Sequence, residues 1–517
     1  MKFRRQTTGI HLTEDEAFVG LVDYGLFGEK LPPCFSSEGL SNHVPDILLD
    51  ITKEDDEKKL KKLLRNRGHD FTRYEALREV NTARQIGVPH PESHVVQCLA
   101  LKRHWAKIKM YCAKPKIPVS RIYVRKTSSK RVFKMNYKGK EYLENEELDI
   151  RSMTGAHFVA RTDISNCFHS IYTHSIPWVL HGRSKSKMDH SVLLEGNLLD
   201  NVTRGTRDGQ TNGLLIGPHP SNVISEIVLT RIDHEMIQKG YRRFHRYIDD
   251  YTFYAKNHNE AEKFIHDLGM QLREYELVLN GRKTEILPMP LPINEDWVRE
   301  LNSYRLPVKS TTVHFGTVRS LLDLALKLAH GAHTYAVLNY AIKMVPPNLN
   351  SRAKRLFVQE AINLALLYPY LAPILDEHVF DKHSFNGIEK VILGFIEKLL
   401  TIGIQRIFPD AIAHALYYSL KHNLRVTTSE YKLRKVLEID DCLSNVLLLE
   451  YAKRHNVKNI RDAIRRRTNK LKGTETRDKD RFWLLIYQMW REKTLRDEGQ
   501  VFLADLKRSR FNFLSFQ

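Results

Sequence analysis

The chain has 517 residues and carries 81 Lys and Arg against 61 Asp and Glu, a formal net charge of +20. At about 100–200 residues per domain this length holds several domains with sizeable cores, which excludes a minimal or disulfide-stapled scaffold. The positive excess attracts polyanions, so nucleic acid leads the partners that charge alone implies and anionic membrane surfaces follow.

The N-terminal residues Met1 to Glu14 are charged and lack the apolar core of a signal peptide. No stretch nears the roughly 18 consecutive apolar residues of a membrane span, so a cytoplasmic protein without membrane contact is expected. Cys34, Cys98, Cys112, Cys167 and Cys442 are scattered without a C-x-x-C pair, which points to reduced thiols and leaves a zinc ribbon no ligands. From Ile51 to Gly68 an acidic half precedes a basic half, as in an exposed helix with a favourable dipole. Tyr74 to Ile86 and Val95 to Tyr111 show helical apolar spacing and predict two helices joined at the elbow Val88-Pro89-His90-Pro91. Ile117 to Tyr142 alternates instead, which predicts a basic β-hairpin turning at Thr127-Ser128-Ser129. Phe158 to Ile164 reads as a strand, and Arg242 to Ala255 as two strands flanking an acidic turn. A break at Pro288 to Pro292 separates this part from an almost wholly helical remainder. There the apolar stripes Leu321, Leu322 and Ala325, then Phe357, Ala361 and Leu364, then Ile392, Phe395 and Leu399 fit either stacked antiparallel helices of the α-solenoid type or an irregular bundle.

Two adjacent acids, Asp249 and Asp250, occupy the tip of the apolar hairpin, and Asp163 ends the strand that begins at Phe158. Carboxylates held together repel, and a divalent cation relieves the repulsion. An acid at a strand end and a paired acid on a hairpin can converge on two Mg²⁺ ions, with Mn²⁺ as an alternative. Two such ions activate a hydroxyl and stabilise a leaving pyrophosphate, so nucleotidyl transfer is the indicated reaction.

Four segments in order then carry a resemblance. Thr162-Asp163-Ile164-Ser165-Asn166-Cys167-Phe168 resembles motif A of reverse transcriptases, Asn212-Gly213-Leu214-Leu215-Ile216-Gly217-Pro218 resembles motif B, Tyr247-Ile248-Asp249-Asp250 resembles the YxDD box of motif C, and Leu279-Asn280-Gly281-Arg282-Lys283-Thr284 resembles motif D. The resemblance implies an α+β fold: a right-hand polymerase with fingers (residues 1–155) and palm (156–292), followed by an all-α, helical-repeat-like domain (293–517). It also implies that Asp163, Asp249 and Asp250 bind the metals, with the Ile164 carbonyl as a further ligand, and that Lys283 approaches the leaving phosphates. Phe168 falls where a bulky ring leaves no room for a ribose 2′-OH, which favours dNTP over NTP. Motif B departs from the usual Q-G-x-x-x-S-P form, since Asn212 replaces Gln and Gly217 replaces Ser; Gly213 and Gly217 still permit close backbone approach to a nucleotide or template. Arg125, Lys126, Lys130 and Arg131 on the basic hairpin are candidates for the triphosphate or template.

The segment from Tyr24 to Phe35, the elbow at Ile86 to Pro91 and the form of motif B are similar to those of bacterial abortive-infection and defence-associated reverse transcriptases. That likeness implies antiphage defence, homo-oligomers formed through the helical domain, and DNA synthesis that is protein-primed and either untemplated or templated by an associated noncoding RNA. Tyr24, the only tyrosine before Tyr74, is the candidate priming hydroxyl. The residues after motif D show no metal-bound nuclease or acidic cluster, and their basic run Arg461 to Lys472, followed by Arg481-Phe482-Trp483, offers phosphate contacts and base stacking. An RNA-dependent RNA polymerase and a catalytically weak RNA-binding scaffold are the competing readings.

Overall fold

The computed structural model describes residues 12–79, 82–112, 149–292, 294–304, 312–332, 336–472, 475–492 and 500–516, with isolated residues between them. The first helix, Glu14–Tyr24, starts at a reciprocal capping box between Thr13 and Glu16. In the charged run that follows, only Glu57–Leu64 forms an α-helix, because Asp56 takes the N-cap and accepts from the NH groups of Lys58 and Lys59.

The expected helix over Tyr74 to Ile86 is instead an antiparallel hairpin of β1 (Phe71–Glu79) and β2 (Thr82–Pro89). Thr72, Tyr74 and Ala76 alternate into the interior, where partners from the far end of the chain fix them. The Tyr74 hydroxyl donates to Asp410 Oδ1 at 2.6 Å, the Leu77 NH to Asp410 Oδ2 at 2.9 Å, and the Thr72 hydroxyl to the Arg481 carbonyl at 2.8 Å. Buried backbone needs such partners, and no local window displays them. The Pro-rich elbow therefore joins a strand to a helix: His90 caps Pro91–Arg103, with Pro91 in the first turn.

His69 fastens the base of this hairpin. Burial works against its charge, yet hydrogen bonds to Asp480 and Glu92 hold its pKa at about 9. Its ring stacks on that of His90 with centroids 3.9 Å apart and planes 23° from parallel. Although His69, His90 and Asp480 lie within reach of one metal ion, in-plane lone pairs of stacked rings do not converge. The cluster is an imidazolium clamp between strand and C-terminal helices.

Within the basic hairpin, β3 (Tyr123–Val124) pairs antiparallel with β4 (Phe133–Lys134); Arg125, Lys126, Lys130 and Arg131 lie outside the described residues. The central sheet has the order β6-β7-β5-β8, all antiparallel, from β5 (Phe158–Asp163), β6 (Phe244–Tyr247), β7 (Asp250–Ala255) and β8 (Glu285–Pro288). Ala160, Thr162, Tyr251 and Phe253 share its inner face, where Phe253 stacks on Phe264 of the helix His258–Arg273 at 4.3 Å. Asp163, Arg161, Asp250 and Thr252 share the opposite face.

Beyond β8 the regular elements among the described residues are helices. Phe315–Gly331 packs on Ser351–Leu367, Ile388–Arg406 on Pro409–Lys421, and the latter on Cys442–Arg454. Leu321, Phe357, Ala361, Phe395 and Leu399 are buried, as their spacing requires. The chain then returns to its start: Ser36 NH donates to the Phe513 carbonyl at 2.9 Å, and Ser515 NH to the Cys34 carbonyl at 2.8 Å. All five cysteines are free. No helix among the described residues is long and apolar enough to cross a membrane.

Candidate active site

Antiparallel register sets Asp163, the last residue of β5, opposite Asp250, the first of β7. Asp249 lies between Tyr247 and Asp250, in the two-residue loop that joins β6 to β7. The Ile164 NH donates to the Asp249 carbonyl at 3.2 Å, so one backbone bond closes the three-acid group. Motif D docks on the same strand: Asn280 NH donates to the Asp163 carbonyl at 2.9 Å and Ser165 NH to the Val278 carbonyl at 2.8 Å. The Ile164 carbonyl takes no part in these bonds.

The loop is strained. Ile248 has φ +57°, a left-handed conformation that costs an L-residue about 1–2 kcal/mol and is rarer still for a β-branched one. Its carbonyl accepts from Arg246 Nη1 at 2.9 Å. That guanidinium is fully buried and is held by Glu226 (3.0 and 3.1 Å) and Asp233 (2.8 to 3.2 Å). Both acids lie on one face of the helix His219–Gln238, two turns apart, and Tyr251 adds a hydrogen bond to Asp233 at 3.1 Å. Sequence reading saw Arg246 only as part of an apolar hairpin and missed this support.

Electrostatics single out the acids. Asp163 is buried; its Oδ1 has no hydrogen-bond partner, and its Oδ2 accepts from Lys283 Nζ at 2.5 Å. That bond raises the Lys283 pKa. Loss of solvation, then repulsion from Asp163, raises Asp249. Loss of solvation, then the charges of Asp249 and Asp163, pushes Asp250 up to about 6. Three carboxylates with one orphaned buried oxygen are a hard-oxygen donor set that fits Mg²⁺ or Mn²⁺. Asp163, Asp249 and Asp250 would hold the ion, which when bound supplies positive charge to a hydroxyl nucleophile and to phosphoryl oxygens.

A pH dependence follows. Between 3.8 and about 6 the folded, metal-free protein keeps a proton on Asp250 that the unfolded chain has released, so its stability falls as pH rises through that window. Cation binding, which needs the ionised form, gains over the same range. Mn²⁺ titrations are expected to show about tenfold weaker binding at pH 5 than at pH 7.5, with Asp250→Asn abolishing most of the difference.

Motif B packs on motif A. Gly213 NH donates to the Ile171 carbonyl at 2.8 Å and Leu214 NH to the Phe168 carbonyl at 2.6 Å, which brings Phe168, half-buried in the helix Cys167–Ser170, beside it. Gly213 has φ +88°, and a Cβ there would stand 3.0 Å from the His169 carbonyl and closer to Arg207, so protein atoms already crowd it. Asn212 is exposed, with its carbonyl accepting from Arg207. Tyr24 ends the first helix, and its hydroxyl donates to Glu38 at 2.7 Å. The adjacent Gly25 carbonyl accepts from His219 NH at 2.9 Å, which fixes the N-terminal segment against motif B.

The β1–β2 hairpin contributes residues that sequence reading did not find. Arg78 and Arg84, both exposed, lie close enough to lower the pKa of Asp250 and Asp249 respectively. Had Phe71 to Pro89 been read at strand period around Asn81, two arginines flanking a turn would have been the signal. In the C-terminal half, Phe482 and Trp483 are buried, so the expected base stacking on them does not occur: they fill the core behind Arg481.

Residues 81–315 match the family described as reverse transcriptase (RNA-dependent DNA polymerase). That match runs from β2 to the start of the helix Phe315–Gly331 and supports a polymerase domain of the reverse-transcriptase type within those residues. No curated protein matches it. Among solved structures, telomerase from Candida albicans in complex with a TWJ fragment of telomeric RNA aligns over 81% of this chain and 64% of its own, at 12% identity and a TM-score of 0.28. The chain thus spans less than two thirds of that neighbour, and the likeness is too distant to carry an argument.

Proposed function

We propose that the protein is a Mg²⁺-dependent polymerase that joins dNTPs into DNA in antiphage defence, with synthesis primed by a protein hydroxyl and either untemplated or templated by a bound noncoding RNA. The observation that carries the polymerase reading is the pairing of Asp163 with Asp250 on one sheet face, with Asp249 in the adjoining loop, within the matched domain. The defence setting rests on the motif resemblance. In this reading Asp163, Asp249 and Asp250 hold the metals, Lys283, which donates to Asp163, faces the leaving phosphates, and Phe168 excludes the ribose 2′-OH. RNA, dNTPs and the DNA product are the partners, and the helical half is the surface for homo-oligomers.

Arg78 and Arg84 take the triphosphate. Both lie on the β1–β2 hairpin within coulombic reach of the acids, and charge-assisted bonds to a phosphate contribute about 1.5–3 kcal/mol. Arg84→Ala is expected to raise the KM for dNTP about tenfold or more with little change in Tm, since the side chain is exposed. Steady-state kinetics beside a thermal melt checks both halves of the statement.

The decisive experiment supplies each labelled dNTP singly with Mg²⁺, before and after nuclease removal of co-purifying RNA, and then treats the product with protease. Product that survives RNA removal and shortens with protease supports untemplated, protein-primed synthesis. Product that vanishes with the RNA assigns that RNA as template. Equal use of ribonucleotides would make the protein an RNA polymerase, and RNA binding without incorporation under either metal would make it a scaffold.

A further inference from the structure

We propose that the helices Glu430–Lys435 and Lys458–Lys472 form a second nucleic-acid site, which takes single-stranded polynucleotide by stacking a base on Tyr431 and seating phosphates on Arg465, Arg466 and Lys470. Tyr431 is 69% exposed, and it is the only exposed aromatic residue among those described. The other described aromatic side chains of the C-terminal half lie in the core or against it. An isolated ring in water has no packing reason to be there, whereas every nucleobase offers it a face.

Its surroundings are cationic. Lys435 Nζ lies 5.4 Å from the Tyr431 ring centroid, and Lys432 and Arg434 of the same helix are exposed. The second helix runs parallel beside it. Asn459 donates to Glu430 at 2.8 Å near the start of both helices; further along, Arg467 donates to the Leu437 carbonyl and lies 3.7 Å from Asp440. Ile460, Ile464 and Thr468 turn inward, so helical geometry turns Lys458, Arg465, Arg466 and Lys470 outward. Lys458 to Lys470 spans about 18 Å of helix at 1.5 Å per residue, enough for several phosphates in a row. Asp462 is the only acid in this helix, and Glu430 is engaged by Asn459.

The same features disfavour other partners. A membrane-binding face needs a band of apolar side chains, and a protein interface needs an apolar centre. Here the one exposed apolar group is Tyr431, ringed by charge. Single strands fit better than duplex, because only unstacked bases can lie on the ring. The source of the strand, template entering or product leaving, rests on the polymerase reading; the binding itself does not.

The test uses the full chain in EDTA with three probes: fluorescent dT20, fluorescent rU20 and a 20-base-pair DNA duplex, each at two salt concentrations. Wild type is expected to prefer the single strands. Tyr431→Ala should weaken their binding about tenfold without changing the salt slope, and Tyr431→Trp should restore it. Arg465→Gln with Arg466→Gln should weaken it similarly and reduce the salt slope by about 1.4, two phosphates at about 0.7 each. Whether dT20 or rU20 binds tighter identifies the strand. Melts confirm folding, which surface substitutions leave intact. Variants that bind like wild type would overturn the proposal; so would equal loss for the duplex, or capture by anionic vesicles in place of the oligonucleotides. A chain that fails to incorporate dNTPs yet shows these losses would keep the surface and discard the polymerase, so the two failures are distinguishable.

Discussion

Asp250→Asn is expected to cut dNTP incorporation about a thousandfold while leaving the metal-free fold as stable as wild type or more so. The two halves of that outcome have one cause. Asp250 stands opposite Asp163 and next to Asp249, and loss of solvation plus their charges pushes its pKa up to about 6. In the metal-free protein its negative charge is therefore a burden, and Asn removes the charge while keeping the shape. A divalent ion reverses the sign: the charge becomes what binds it. Losing one of three carboxylates costs several kcal/mol of stabilisation of developing charge, and about 4 kcal/mol corresponds to three orders of magnitude in rate. Single-turnover incorporation measured with melts in EDTA and in Mg²⁺ separates the effects. In EDTA the variant should melt at or above wild type, and added Mg²⁺ should stabilise wild type more than the variant. A variant as active as wild type would remove Asp250 from the chemistry.

The acids were legible from sequence because the information that places them is local. A two-residue loop between alternating strands puts Asp249 and Asp250 at a hairpin tip whatever surrounds it, and β5 announces itself through the run from Phe158 to Asp163. The β1–β2 hairpin was not legible for the opposite reason. Phe71 and Thr72 are both buried, as are Ile86 and Val88 on either side of Gly87, so neither strand shows a clean period of two. Its conformation is decided by Asp410, Asp480 and Arg481, more than 300 residues away in the chain. With the hairpin unseen, Arg78 and Arg84 had no reason to stand near the acids. Likewise the basic helix Lys458–Lys472 was visible as a charge run, while the ring beside it was expected at Trp483 and lies at Tyr431, because only packing reveals which aromatic residue the core leaves out.

Arg246→Met is expected to destabilise the protein by about 3–5 kcal/mol, the second large effect, because it strands two acids in the interior. Glu226 and Asp233 make their strongest contacts with this guanidinium, and burial already pushes Asp233 up against the pull of Arg246. Denaturant unfolding should show a lower midpoint at an unchanged m-value. Stability is only part of what Arg246 does, since its Nη1 also holds the Ile248 carbonyl in a conformation that the residue would not choose alone. A triple variant, Arg246→Met with Glu226→Gln and Asp233→Asn, separates the roles. Removing all the charges together should return much of the lost stability, as it does when buried ion clusters are replaced as a unit. The Ile248 carbonyl would still lack its donor, and the loop that carries Asp249 would relax toward an unstrained conformation. The triple variant should therefore need a severalfold higher Mg²⁺ concentration for half-maximal incorporation, at nearly wild-type stability. If metal dependence recovers together with stability, the bond to Ile248 is packing and the strained turn holds itself. If it does not, a buried arginine one strand behind the acids is what aims them.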